Sequence, residues 1–204
     1  MKRLYYLIAV ALLLLGVASS AGVWDIPSGT ANAGVIIAPI PEQGGGCSGS
    51  YGYDDPNSSD ADNITQDVLL TKITIDCAGS VSSVNVYGRN FTSDTDNVKA
   101  LIYDDDGGGG EPGTLLCTTE DYYDATWSSS SWRSISISGT CDLSAGDYWV
   151  GATNDNNGYL IRTTTSTGRQ RRKQINTTYA TPPDPFVGGY SYDNTTGYAI
   201  ELEF

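Results

Sequence analysis

From residue 68 onward the chain reads as short runs of apolar and polar residues in alternation, broken by turn residues. "VLLTKITID" (68–76) sets Leu70, Ile73 and Ile75 among Thr and Lys, and "VSSVNVYG" (81–88) alternates Val84 and Val86 with Asn85 and Tyr87. "NVKALIY" (97–103) puts Val98, Ala100 and Ile102 on one face. "GTLLCTT" (113–119) and "WRSISIS" (132–138) follow, the second with Ile135 and Ile137 inward. Then come "GDYWVGAT" (146–153), "GYLIRT" (158–163), "FVGGYSY" (186–192) and "GYAIELEF" (197–204). In the last run Tyr198, Ile200, Leu202 and Phe204 oppose Glu201 and Glu203. Helical periodicity is absent from this region. About nine short strands with such turns predict an all-β fold, an antiparallel β-sandwich of immunoglobulin-like or jelly-roll type. The pattern does not give the strand order.

The N-terminal part has a different texture. Lys2 and Arg3 precede an apolar run from Leu4 to Val17, and small residues lead to Ala21. This predicts a secretory signal peptide over residues 1–21, because the run is shorter than the ~20 residues a membrane span needs. Residues 22–46 form an extension containing "AGVIIAPIPEQGGGC" (33–47), in which Val35, Ile36, Ile37, Ala38 and Ile40 stand before Gly44, Gly45 and Gly46. Pro39 and Pro41 cannot donate ladder hydrogen bonds, so the predicted strand is 34–38 and the glycines read as a hinge. Residues 47–204 are left as the sandwich domain.

"VKALIYDDDGGGGEPGTLLCTT", Trp132 and "LSAGDYWVGATND" together resemble a widespread class of secreted bacterial and phage-associated β-sandwich modules. The likeness covers roughly residues 68–160 and implies a sandwich, with little chemistry, since most such modules have no assigned activity. The N-terminal ribbon in turn resembles the donor strands of pilus subunits, where a free extension completes the next immunoglobulin-like subunit.

Composition sharpens the compartment. Cys47, Cys77, Cys117 and Cys141 are the four cysteines and all follow the signal peptide, which predicts two disulfides in an exported protein. Of three connectivities, Cys47–Cys77 with Cys117–Cys141 closes the most local loops, of about 30 and 24 residues, worth ~3–4 kcal/mol each. No CxxC pair and no His is present, which argues against zinc. The net charge of −13 becomes −15 once Lys2 and Arg3 are removed. That disfavours nucleic acid and anionic membrane as partners.

Several motifs invite chemistry. In "YDDDGGGGEPG" (103–113), Asp104 and Asp106 could offer oxygen ligands to calcium, though a solvated hairpin loop needs no metal. Without His, Ser-His-Asp and Cys-His nucleophilic arrangements cannot form, and the carboxylates sit mostly in turns, so no enzyme is expected. Among Trp24, Trp127, Trp132 and Trp149, Trp149 reads as core and Trp127, beside a serine run, as the exposed sugar-stacking candidate. Arg169, Arg171, Arg172 and Lys173 form a basic loop, either simply solvated or docked on the acidic surface of an identical neighbour. Sequons at Asn57, Asn63, Asn90, Asn176 and Asn194 fit surface glycosylation.

The ribbon at 34–38 decides the functional expectation. An uncharged strand with high β-propensity is a template for association if left exposed. Donated to another copy, its four large side chains supply ~6–12 kcal/mol against ~4–15 kcal/mol for association. No sorting motif or membrane tail follows the last strand. The sequence therefore predicts a secreted, homopolymeric subunit of a pilus-like surface fibre. The competing expectation is a monomeric extracellular module that binds glycans or a surface, with the ribbon as the first strand of its own sandwich.

Overall fold

The structure is a computed structural model that describes residues 46–89, 97–124, 127–164, 166, 168–175, 177–187, 190–191 and 195–204. The donor-type strand, Gly44 and Gly45 lie outside the described residues. The strands in chain order are β1 (Ser50–Gly52), β2 (Pro56–Asn63), β3 (Val68–Ile75), β4 (Gly79–Ser80) and β5 (Ser83–Arg89). After them come β6 (Asn97–Asp104), β7 (Leu115–Thr118), β8 (Tyr122–Tyr123), β9 (Ser131–Ser136) and β10 (Asp142–Leu143). The remainder are β11 (Gly146–Asn154), β12 (Tyr159–Thr163), β13 (Arg171–Gln174), β14 (Tyr190–Ser191) and β15 (Ile200–Glu203). Several of these fifteen are two-residue pairings, which is why the count exceeds the nine read from the pattern.

All strand pairings are antiparallel, and the expected all-β class holds. A six-stranded sheet runs β1-β15-β5-β12-β2, with β9 on the other edge of β5. A seven-stranded sheet runs β14-β13-β3-β11-β6-β7, with β8 also on β6, and β4 and β10 form a small third sheet. The two large sheets share one core. Val84, Val86, Ile135, Ile200 and Leu202 meet Leu69, Ile73, Val98, Ile102 and Val150, all essentially buried. The period-two pattern produces this directly, because every second side chain points to the same face.

The seven-stranded sheet is buried on its second face as well. Val68, Leu70, Leu101, Tyr103 and Trp149 form a separate cluster beneath Phe186 and Leu115. Leu70 therefore faces away from Ile73 and Ile75. The cover is a non-strand strap: Phe186 packs edge-on to Tyr103 at 5.7 Å, and the Tyr103 hydroxyl donates to the Pro183 carbonyl at 2.9 Å. Within the predicted strand 186–192, Tyr190–Ser191 is strand, whereas Phe186 is not and is used as a lid. Gly151 on β11 approaches β3 so closely that a Cβ there would lie 1.7 Å from the Leu69 carbonyl oxygen.

Two strands escape the hydrophobic pattern altogether. β2 is "PNSSDADN" and β13 is "RRKQ", and they are placed by charge instead. The Asp62 carboxylate on β2 accepts from Arg171 Nη1 on β13 at 2.9 Å, from Arg162 on β12, and from the Tyr198 hydroxyl at 2.8 Å. Arg162 also pairs with Asp60 at 2.7 Å. Because β2 and β13 belong to different sheets, this cluster closes one flank of the sandwich. The opposite flank closes by backbone bonds, Glu120 N–H to the Ser136 carbonyl and Ser138 N–H to the Thr118 carbonyl, both at 2.9 Å. Trp127 fills the interior there, fully buried, with its indole N–H on the Ser131 carbonyl at 3.1 Å. The expected disulfides both form, Cys47–Cys77 and Cys117–Cys141.

Burial alone would push the Asp62 carboxyl up, but hydrogen bonds from Arg162 and Tyr198 and the charges of Arg162 and Arg171 outweigh it and hold it below the usual range. A lowered carboxyl stabilises the fold above its unfolded pKa, and that contribution is lost as pH falls through the folded value. Asp62→Asn leaves two arginines short of a partner in a mostly buried site, so urea unfolding at neutral pH should show a loss of ~3–5 kcal/mol. On acidification below about pH 4 the variant should lose less than the parent. Equal acid slopes in both proteins would show that Asp62 does not carry the effect.

Candidate functional site

Three adjacent strands, β15, β5 and β9, turn one face to the core and the other outward. With Ile200, Leu202, Val84, Val86 and Ile135 inward, the alternate positions line up outside. Glu201 stands opposite Asn85, Asn85 opposite Ser134, and Tyr87 opposite Trp132. The chain leaving β1 completes the group. Gly52 has a φ of +152° and passes so close to β15 that a Cβ would sit 2.2 Å from the Ile200 carbonyl oxygen. That approach lets the Tyr53 N–H bond the same carbonyl at 3.0 Å and brings Asp54 to the rim.

The result is an open cleft of about 490 Å³ lined by Asp54, Asn85, Trp132, Ser134 and Glu201. Trp132 is half-buried and held edge-to-face by Tyr87, centroids 5.2 Å apart. The Ser134 hydroxyl donates to Ser83 at 3.0 Å. Partial burial pushes the Glu201 carboxyl up, the charge of Asp54 pushes the same way, the Asn85 amide opposes by hydrogen bonding, and Glu203 adds a small upward push. The lining thus combines an aromatic wall, two carboxylates, an amide and a hydroxyl. It contains no basic side chain.

The described tryptophans differ in exposure. Trp127 is fully buried and cannot present a face to a ligand, which corrects the expectation that its serine-rich neighbourhood exposes it. Trp149 is core as expected, with its indole N–H on Asp105 at 2.6 Å. Trp24 lies outside the described residues. Four cleft residues were visible on the polar faces of predicted strands, Asn85, Trp132, Ser134 and Glu201, whereas Asp54 lay in no predicted strand. What was missing was the adjacency of those strands.

The acidic loop is internally committed. Asp106 caps Thr114, accepting from its N–H at 2.7 Å and its hydroxyl at 2.6 Å, and Asp104 accepts from the Asp105 N–H at 2.9 Å. Asp105 takes Lys72 at 2.7 Å, and Glu111 pairs with Arg172. Among the described residues no group of three or more acidic, Cys or His side chains is arranged to hold a metal ion. Calcium at Asp104 and Asp106 is therefore not supported, because these carboxylates satisfy the loop's own donors.

The basic segment likewise turns inward. Arg169 pairs with Asp55 at 2.8 Å and stacks on Tyr53, Arg171 is buried against Asp62, and Lys173 meets Asp67 at 2.7 Å. Arg172 is buried over the Trp149 ring at 5.0 Å. The expectation of a loop presenting these cations to a neighbouring copy is corrected: residues 171–174 are a strand whose charges are neutralised within the chain. Asn57 and Asn63 both lie on β2, where their side-chain carbonyls accept from the Ser59 hydroxyl and the Thr65 N–H at 2.8 Å. Asn90, Asn176 and Asn194 lie outside the described residues, as do Val35, Ile36, Ile37, Ala38 and Ile40. Gly46 is exposed.

No protein-family model and no curated protein matches the chain. The two disulfides are compatible with an extracellular protein, and no helix among the described residues is long and apolar enough to cross a membrane.

The two tryptophans should separate in a stability experiment. Trp127→Ala opens a large cavity in a closed core and should cost ~3–5 kcal/mol, read by chemical denaturation. Trp132→Ala removes a half-buried ring from the outer face and should cost about 1 kcal/mol or little more. A larger loss for Trp132 than for Trp127 would reverse the assignment of core and surface.

Proposed function

We propose that this chain is an extracellular β-sandwich module that binds carbohydrate on the outer face of its six-stranded sheet. One observation carries the reading: Trp132, held edge-to-face by Tyr87, is the aromatic wall of an open cleft whose remaining lining is hydrogen-bonding side chains. A sugar ring has an apolar C–H face and a rim of hydroxyls. The indole supplies a flat apolar surface for the first, and the carboxylates, Asn85 and Ser134 supply acceptors and donors for the second. A cleft of this size suits one or two sugar rings. The strands beneath, β15, β5 and β9, are hydrogen-bonded into one sheet, so the side chains are pre-positioned and little ordering cost falls on binding.

The test is a panel of neutral, amino and acidic oligosaccharides offered to the purified secreted protein. Binding should fall about tenfold or more in Trp132→Ala, a loss of ~1.4 kcal/mol, while Tyr87→Phe retains it. Silence across the whole panel would overturn the proposal.

A second reading rests on the uncharged ribbon at residues 34–38, which favours self-assembly into a fibre by strand donation. Negative-stain microscopy of the secreted material should then show filaments, and removal of residues 22–43 should yield a soluble, less stable monomer. Filaments that persist after the deletion would exclude that ribbon as the connector.

A further inference from the structure

We infer that the cleft selects carbohydrate bearing free, protonated amines, such as a β-linked glucosamine chain, over neutral or acidic polymers. The inference rests on the carbohydrate reading above and adds the chemistry of the ligand. Its basis is a contrast between two kinds of carboxylate in one molecule. Asp55, Asp62, Asp105, Glu111, Asp121 and Asp147 each sit within ion-pair distance of an Arg or Lys of the same chain. Asp54 and Glu201 share a cleft whose lining offers only an amide, a hydroxyl and an indole. The nearest basic residue along β5 is Arg89, four positions beyond Asn85 and past Tyr87, and it does not line the cleft.

Two acids in one cleft without a counter-charge in its lining repel one another, and the half-burial of Glu201 strengthens that repulsion by lowering the local dielectric. An ammonium placed between them removes the repulsion and gains a charge-assisted hydrogen bond to each. Trp132 lines the same cleft, so its ring offers the ammonium cation–π attraction while the sugar face stacks. An acidic polysaccharide meets the opposite situation, since its carboxylates would add like charge to a site that already has too much. An N-acetylated sugar has the same ring and no charge, so it keeps the stacking and forgoes the ion pair.

Calorimetric titration of the intact protein with three probes tests this: short β-linked glucosamine oligomers, their N-acetylated counterparts, and galacturonate oligomers. The glucosamine probe should bind about fivefold to tenfold more tightly than its acetylated form. Galacturonate should not bind, and added salt should erode the preference. Glu201→Gln, nearly isosteric, should abolish most of the preference, read as the ratio of free-amine to acetylated affinity, and Asp54→Asn should act the same way. Trp132→Ala should weaken both. Equal binding of the free and acetylated amines would overturn amine selection while leaving the carbohydrate reading intact. Glucosamine binding that survives Trp132→Ala unchanged would also overturn it, since general attraction to an acidic surface would then explain the data. Failure of all three probes would take the carbohydrate reading down as well.

Discussion

The Asp62 carboxylate receives donors from three separate places in the chain, Arg162 on β12, Arg171 on β13 and Tyr198 just before β15. Two of these lie in or beside the six-stranded sheet and one in the seven-stranded sheet, so a single acidic group fixes how the sheets meet on that flank. Such a cluster is all-or-nothing. Removing a charge from water is expensive, and the mutual attraction offsets that cost only when every partner is in place. The geometry then specifies one arrangement of β2, β12 and β13 among the alternatives that a polar sequence could adopt. The cleft depends on this, because β15 carries Glu201 and enters the sheet directly after Tyr198.

Hydrophobic alternation explains most of the rest. Strands β3, β5, β6, β9, β11, β12 and β15 were legible because one face of each is apolar and buried, and burial of that face is what forms them. β2 and β13 were not legible for a physical reason. Their sequences, "PNSSDADN" and "RRKQ", carry no apolar period, and their positions are decided by opposite charges more than a hundred residues apart, Asp62 and Arg171. A pattern that works residue by residue has no access to such pairs. The strap ending in Phe186 failed for a related reason. An aromatic beside glycines reads as the start of a strand, whereas here it caps a second apolar face of a sheet already complete in its hydrogen bonding.

The disulfide pairing was legible from spacing, since each bridge closes a short loop between neighbouring segments. The site was only half legible. Alternation alone placed Asn85, Tyr87, Trp132, Ser134 and Glu201 on outward faces, but nothing in the sequence says that β9, β5 and β15 are neighbours. The error at Trp127 follows from the same limit. A serine-rich flank suggests exposure, yet the ring fills the gap where the two sheets come together and Tyr122 packs on it at 6.2 Å.

A strongly acidic chain with few cations must decide where those cations go. Here they are spent inside and between strands: Lys72 on Asp105 and Asp147, Arg172 on Glu111, Arg162 and Arg171 on Asp62. The pairs of Arg171 and Arg172 hold β2 and β13, short polar strands that have no apolar face to bury, which is why the basic segment is structural. The consequence appears on the outer face of the six-stranded sheet. With the positive charge committed to holding β2 and β13, Asp54 and Glu201 are left to share a cleft with an amide and an indole. The same scarcity of cations that obliges the fold to close by ion pairs leaves that outer face acidic beside its aromatic wall.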